Sequence, residues 1–321
     1  MKSIANKYLL LAILINLVMF AQVYAQESGY LNATDGAKVY YQIWKAPFTE
    51  VNLIIIHGYG EYSGRYNELS KFLSERGIST YAIDLRGHGR SDGKRGDIGS
   101  LETVMSDINK LKKLIDNNKK VYILGHSMGS LIALNYSITY PENVDGIVIS
   151  SPIIDICMEL FSRDICLEGF IPILNPILRI ITPIAGSIDL GSLGSIVGLG
   201  NVENLTPEDM VIFTHDPEMQ KSHLEDPLLH GSLTINTADE ILKAMQFINK
   251  NINKIIKPTL ILYGDNDTII DTNAVVSFYN EIPTSDKTII EYPGYAHNIF
   301  EEIGRVEGPF TDLYKWMLLH K

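Results

Sequence analysis

Apolar residues in this chain gather into short runs, with helical patterns between them. Leu53-Ile54-Ile55-Ile56 is unbroken and closes at His57-Gly58, as expected of a strand covered on both faces. Similar runs recur at Thr80 to Ile83, Val121 to Leu124, Gly146 to Ile149, Thr259 to Tyr263 and Lys287 to Tyr292. Val39 to Trp44 alternates instead, as an edge strand does. Between the runs, Tyr66 to Arg76 reads as a helix ending at Gly77. Leu101 to Ile115 places Leu101, Val104, Met105, Ile108, Leu111 and Ile115 on one helical face. Met128 to Tyr140 stops before Pro141, and a last helix is expected from about Phe300 to Leu319. Strands alternating with helices predict an α/β fold, a mostly parallel sheet with helices on both sides.

Two segments depart from this rhythm. Residues 152–236 separate two strand patterns by far more than one crossover helix needs. Ile153 to Ile184 is rich in Phe, Ile and Leu, and Pro172, Pro176 and Pro183 divide it into short helices. An inserted helical cap over the carboxyl edge of the sheet is expected there, where α/β proteins bind ligands. At the N terminus, Lys2 and Lys7 precede an uncharged run from Tyr8 to Ala25. A basic start, a short apolar run and a small last residue make 1–25 a signal peptide, cleaved after Ala25. The run also approaches the roughly 20 residues that an uncleaved anchor needs. Both readings put the domain 26–321 outside the cytoplasm: secreted or periplasmic, or membrane-anchored if uncleaved.

Charge narrows the function. Lys and Arg total 27 against 38 Asp and Glu, a net charge of -11, so the chain is not built to neutralise phosphates and no nucleic acid is expected as a partner. The 321 residues, 45% of them hydrophobic, suffice for a full-sized core. Cys157 and Cys166 form no C-x-x-C motif and have no histidine at ligand spacing, so no metal site is expected. They form a disulfide in an oxidising compartment or otherwise serve as small buried hydrophobes.

Gly125-His126-Ser127-Met128-Gly129 fits G-x-S-x-G, with a strand pattern before it and a helical one after. That is the setting of a nucleophile elbow, with Ser127 on the sharp turn. A serine hydroxyl needs a base. Among eight histidines, His297 follows the last strand pattern on a loop, at the same sheet edge as Ser127. Asp267 follows Thr259 to Tyr263 at that edge too. The order Ser127, Asp267, His297 is that of an α/β-hydrolase triad: nucleophile, acid orienting the base, general base. Asp265 and Asp271 compete for the acid's role, but Asp265 suits a turn cap and Asp271 the N-cap of a helix beginning near Thr272. An oxyanion hole needs two backbone N–H donors. Met128 supplies one, and Tyr59 in the turn His57-Gly58-Tyr59-Gly60 the other. His57 itself suits a structural hydrogen bond. This chemistry requires no cofactor.

His57-Gly58-Tyr59-Gly60-Glu61-Tyr62-Ser63-Gly64-Arg65-Tyr66 resembles the HGxGEHSGRY stretch of the monoacylglycerol lipase and lysophospholipase branch of the α/β hydrolases, the serine aminopeptidase S33-type branch. Asp84 to Ser91 is similar to that branch's D-x-R-G-H-G-x-S turn, and Gly125 to Gly129 to its GHSMG elbow. Asp216-Pro217 and Asp226-Pro227-Leu228 resemble its cap signature. Tyr263 to Asp267 and Tyr295-Ala296-His297 put the family acid on Asp267 and the family base on His297. The likeness spans roughly residues 35 to 319. Departures stand at Tyr59, where a small residue is frequent, at Tyr62 in place of histidine, and at Ser130 in place of glycine. A bulky Tyr59 would narrow the alcohol side of the pocket.

The resemblance implies an α/β-hydrolase fold and a serine hydrolase cleaving single-chain lipid esters, monoacylglycerol or lysophospholipid. The apolar cap would then hold the acyl chain and touch membranes or micelles. The same triad also serves a broad carboxylesterase or an acyltransferase. A non-catalytic lipid-binding protein on this scaffold would carry a broken triad, and none is visible.

Overall fold

The computed structural model describes residues 25–154, 157–160, 163–166, 206 and 209–321, with backbone alone at 25, 157–160 and 163–166. The segment expected to be a signal peptide and most of the segment expected to form the cap lie outside the described residues. In chain order the strands are β1 (Ala25–Asn32), β2 (Lys38–Lys45), β3 (Val51–Ile56), β4 (Ile78–Ile83), β5 (Lys120–His126), β6 (Gly146–Ser150), β7 (Cys157–Leu160), β8 (Arg163–Cys166), β9 (Thr259–Gly264) and β10 (Lys287–Tyr292). The α-helices described are α1 (Asn67–Ser74), α2 (Leu101–Lys112), α3 (Met128–Thr139), α4 (Pro217–Glu225), α5 (Ile235–Asn251), α6 (Thr272–Glu281) and α7 (Thr311–Leu319).

Eight strands form one sheet in the order β1-β2-β4-β3-β5-β6-β9-β10. β1 and β2 pair antiparallel, as do β2 and β4, and every other pairing is parallel. Alternate residues of the covered strands feed two cores. Ile54, Ile56, Ile123, Ile147, Ile149 and Ile261 face the layer holding α2, α3, α5 and α6. Leu53, Ile55, Tyr122, Leu124, Val148 and Leu260 face α1 and α7. Each such side chain stabilises by about 1.5–3 kcal/mol, which is why an apolar run without alternation becomes a strand with helices on both faces.

The structure corrects expectations at the sheet edge, at the last helix and in the 152–236 segment. Val39 to Trp44 is not the sheet's edge, because β1 lies outside it in register Asn32↔Lys38 through Ala25↔Lys45. The last helix starts at Thr311 rather than near Phe300. Gly308 takes non-helical angles and Pro309 follows it, so Val306–Phe310 forms a separate wide turn.

The expected short helices of the 152–236 segment are not what stands at 157–166, where the described residues form the hairpin β7–β8. The other elements described there are a short turn at Asp209–Ile212, α4 and the first residues of α5. Cys157 and Cys166 are register partners in that hairpin. Opposed residues of antiparallel strands lie about 4.5–5.5 Å apart at Cα, inside the range a disulfide needs. The chain returning to α5 is stitched to the body by His230 N–H to Gly60 O and Thr234 N–H to Gly96 O, at 3.2 and 3.4 Å. Among the described residues no helix is long and apolar enough to cross a membrane.

Candidate active site

β5 ends at His126, and Ser127 then takes φ 52° and ψ -120° before α3 begins at Met128. A non-glycine residue there is strained, and the surroundings impose the strain. Ser127 N–H donates to Ser150 O at 2.9 Å. A Cβ on Gly125 would lie 2.1 Å from Gly129 O, and one on Gly129 2.3 Å from Ile56 O, so the tight turn admits no side chain at either place. Ser130, the departure from glycine noted above, has work to do: its Oγ–H reaches Gly125 O at 2.9 Å and Ser150 O at 3.2 Å. It clasps the elbow to the end of β6.

Asp267 and His297 follow β9 and β10 at the same carboxyl edge. His297 Nδ1–H donates to Asp267 Oδ2 at 2.7 Å, and both residues are buried. Asp267 Oδ1 accepts the N–H groups of Ile269 and Ile270 at 2.9 and 3.3 Å. Burial alone would raise the Asp267 carboxyl, but His297 and these N–H donors hold it below its ordinary value. The competing aspartates do other things. Asp271 caps α6 through Asn273 and Ala274 N–H. Asp265 reaches past its own turn to Gly294 N–H, tying the acid's loop to the loop that carries His297.

The base's loop is held from three sides. Ser151, itself at φ 43°, donates its Oγ–H to His297 O at 2.7 Å. His297 and Asn298 N–H donate to Ile212 O and Phe213 O. Buried Glu302 accepts from Ala296 N–H and from His215 Nδ1, both at 2.8 Å. None of Ser151, Asn298 and Glu302 carries a motif of its own, and only adjacency to the end of β6 or to His297 signals the first two.

The turn after β3 is ordered by Glu61, whose Oε2 accepts Gly58 N–H at 3.0 Å and Tyr66 O–H at 3.1 Å. His57 donates from Nδ1 to Gly58 O at 2.7 Å and accepts Leu85 N–H at Nε2, a structural role. Burial keeps it neutral by pushing its pKa down. The Tyr59 ring packs edge-on to His88 and His230, with centroids 5.9 and 6.0 Å away. Met128 is buried at the start of α3. The aspartates of the cap signature also have partners. Asp216 caps α4 and binds Arg305, while Asp226 accepts Tyr62 O–H at 2.7 Å. No group of three His, Cys, Asp or Glu among the described residues is arranged to hold a metal ion.

The family profile of Hydrolase_4, described as serine aminopeptidase S33, matches residues 49–304. The chain belongs to this family. A monoacylglycerol lipase of Mycolicibacterium smegmatis is 27% identical over 291 residues, 89% of this chain and 94% of that protein. The Bacillus subtilis phospholipase YtpA is 26% identical over 281 residues, 84% of this chain and 98% of its own length. The crystal structure of the Paleococcus ferrophilus monoacylglycerol lipase superposes with a TM-score of 0.73 at 27% identity, covering 88% of this chain and 99% of that one. The Hydrolase_4 fold seen here is thus the α/β-hydrolase fold, and the likeness runs to its monoacylglycerol lipase-like branch.

Proposed function

We propose that this chain is a carboxylic ester hydrolase acting on single-chain lipid esters, monoacylglycerols or lysophospholipids, through an acyl-enzyme on Ser127. One observation carries the reading: a serine in strained backbone and a buried histidine paired with a buried carboxylate at 2.7 Å stand at one sheet edge. His297 takes the Ser127 hydroxyl proton as Oγ attacks the ester carbonyl. Asp267 holds the His297 tautomer and stabilises the imidazolium that forms. The N–H groups of Tyr59 and Met128 receive the oxyanion. His297 returns the proton to the departing alcohol, and water then releases the fatty acid by the same steps in reverse. The relatives' names, monoacylglycerol lipase and phospholipase, support the lipid substrate. The apolar 153–184 stretch suits an acyl chain and contact with a membrane or micelle. The N-terminal pattern suits action outside the cytoplasm.

The test is turnover by residues 26–321, and by Ser127→Ala, of monoacylglycerols and lysophospholipids of graded chain length beside a short p-nitrophenyl ester. Long-chain hydrolysis that vanishes in the variant is expected. Turnover of the short ester alone would reduce the reading to a general esterase, and acyl transfer to glycerol in place of hydrolysis would make it an acyltransferase.

A further inference from the structure

Between the cap helix α4 and the elbow lies a buried polar chain that the triad does not use. Glu301 is at its centre. Its Oε1 faces Arg65, with Nε at 2.8 Å and Nη2 at 2.7 Å. Its Oε2 accepts both His223 Nε2–H, at 2.5 Å, and Asn298 Nδ2–H, at 2.9 Å. His223 belongs to α4, and Asn298 follows His297 directly. Asn298 Nδ2 also donates to Glu61 Oε1 at 3.2 Å, so two carboxylates fix which end of the amide is NH2. Asn298 Oδ1 must then face His126 Nε2, 3.2 Å away, and that nitrogen carries the hydrogen. His126 Nδ1 is left to accept from Ser150 Oγ–H at 3.2 Å. The His126 ring packs on the His297 ring, centroids 5.0 Å apart, and His126 precedes Ser127.

We propose that Glu301 is a positioning residue that fixes the Asn298 amide and, through it, the tautomer and ring of His126 beside His297 and Ser127, while holding the cap helix by His223. The inference rests on the function proposed above. Without the Glu301 carboxylate, the Asn298 amide loses one of the two acceptors that set its sense. A flipped amide presents NH2 to His126 and reverses its tautomer, which turns Nδ1–H toward Ser150. The bond pattern spanning the nucleophile's strand, the end of β6 and the base's loop is then broken. The cap bond is separable. Removing His223 leaves Glu301 paired with Arg65 and Asn298, so the inner chain persists.

Three variants separate these roles: Glu301→Gln, Asn298→Ala and His223→Leu, each checked for wild-type circular dichroism. The readouts are the rate of inactivation by a small dialkyl fluorophosphate, which reports on Ser127 and His297 without an acyl chain, and kcat and KM on a short ester and on a long-chain monoacylglycerol. Glu301→Gln and Asn298→Ala should each slow inactivation and lower short-ester kcat by roughly tenfold, with KM within about twofold. His223→Leu should leave the inactivation rate unchanged and raise KM only for the long-chain substrate. If Glu301→Gln fails to fold, Asn298→Ala still decides, because it leaves Arg65 and the cap untouched. The proposal is overturned if Glu301→Gln and Asn298→Ala inactivate at the wild-type rate, or if Glu301→Gln merely reproduces His223→Leu. Ser127→Ala runs alongside: activity surviving in it sinks the proposed function itself, whereas its loss with unaltered Glu301→Gln sinks only this inference.

Discussion

At the scale of single residues, the proposed mechanism depends most on the buried His297–Asp267 pair. Asp267→Asn keeps the shape but leaves the imidazole free to take the wrong tautomer, and kcat on a short ester should fall roughly ten-thousandfold with the fold intact. A loss under tenfold would show that the acid lies elsewhere. Ser130→Ala removes the clasp to Gly125 O and Ser150 O, and urea denaturation should show about 1 kcal/mol of lost stability. The triad candidates were legible in the sequence because each sits in a local signature: a glycine-framed serine, or an acid or histidine directly after a strand. Asn298, Glu301 and Ser151 were not. Their partners come from distant segments, and no spacing rule announces a tertiary hydrogen bond.

At the scale of elements, the covered strands were readable because unbroken Ile and Leu runs have one stable home, the middle of a sheet between helix layers. β1 was not, since Ala-Gln-Glu-Ser-Gly-Tyr-Leu-Asn has too few apolar positions to show a period and is fixed by pairing with β2. The final helix starts later than its apolar pattern predicts because Gly308 and Pro309 interrupt the backbone ahead of Thr311. The elbow depends on backbone approach, so Gly129→Ala should cost roughly 3 kcal/mol or leave the chain unfolded, measured by the same denaturation. In the β7–β8 hairpin, the Cys157↔Cys166 register makes a disulfide the expected state of protein from an oxidising compartment. Thiol titration in denaturant should find no thiol until reductant is added, and two thiols reacting at once would contradict it.

At the scale of the whole molecule, the mostly parallel sheet brings the ends of β5, β9 and β10 to one edge, and the chain leading into α5 is bonded to the loops there. Four histidines near this edge (His57, His88, His126 and His230) are held below their ordinary pKa first by burial, His230 to about 4. In the unfolded chain they take up protons near pH 6.5. Below that value the unfolded state binds more protons than the native one, so stability falls as pH drops from about 6.5. The urea midpoint should therefore be lower at pH 5 than at pH 7.5, and an unchanged midpoint would contradict their buried, neutral state. The central claim is that Ser127 is acylated by help from His297 and Asp267. Intact-mass and peptide mass spectrometry after exposure to an alkyl fluorophosphonate tests it most directly. A single adduct on the peptide containing Ser127, absent in Ser127→Ala and much slower in Asp267→Asn, is the predicted result; an adduct on another residue, or none on folded wild-type protein, would contradict the account.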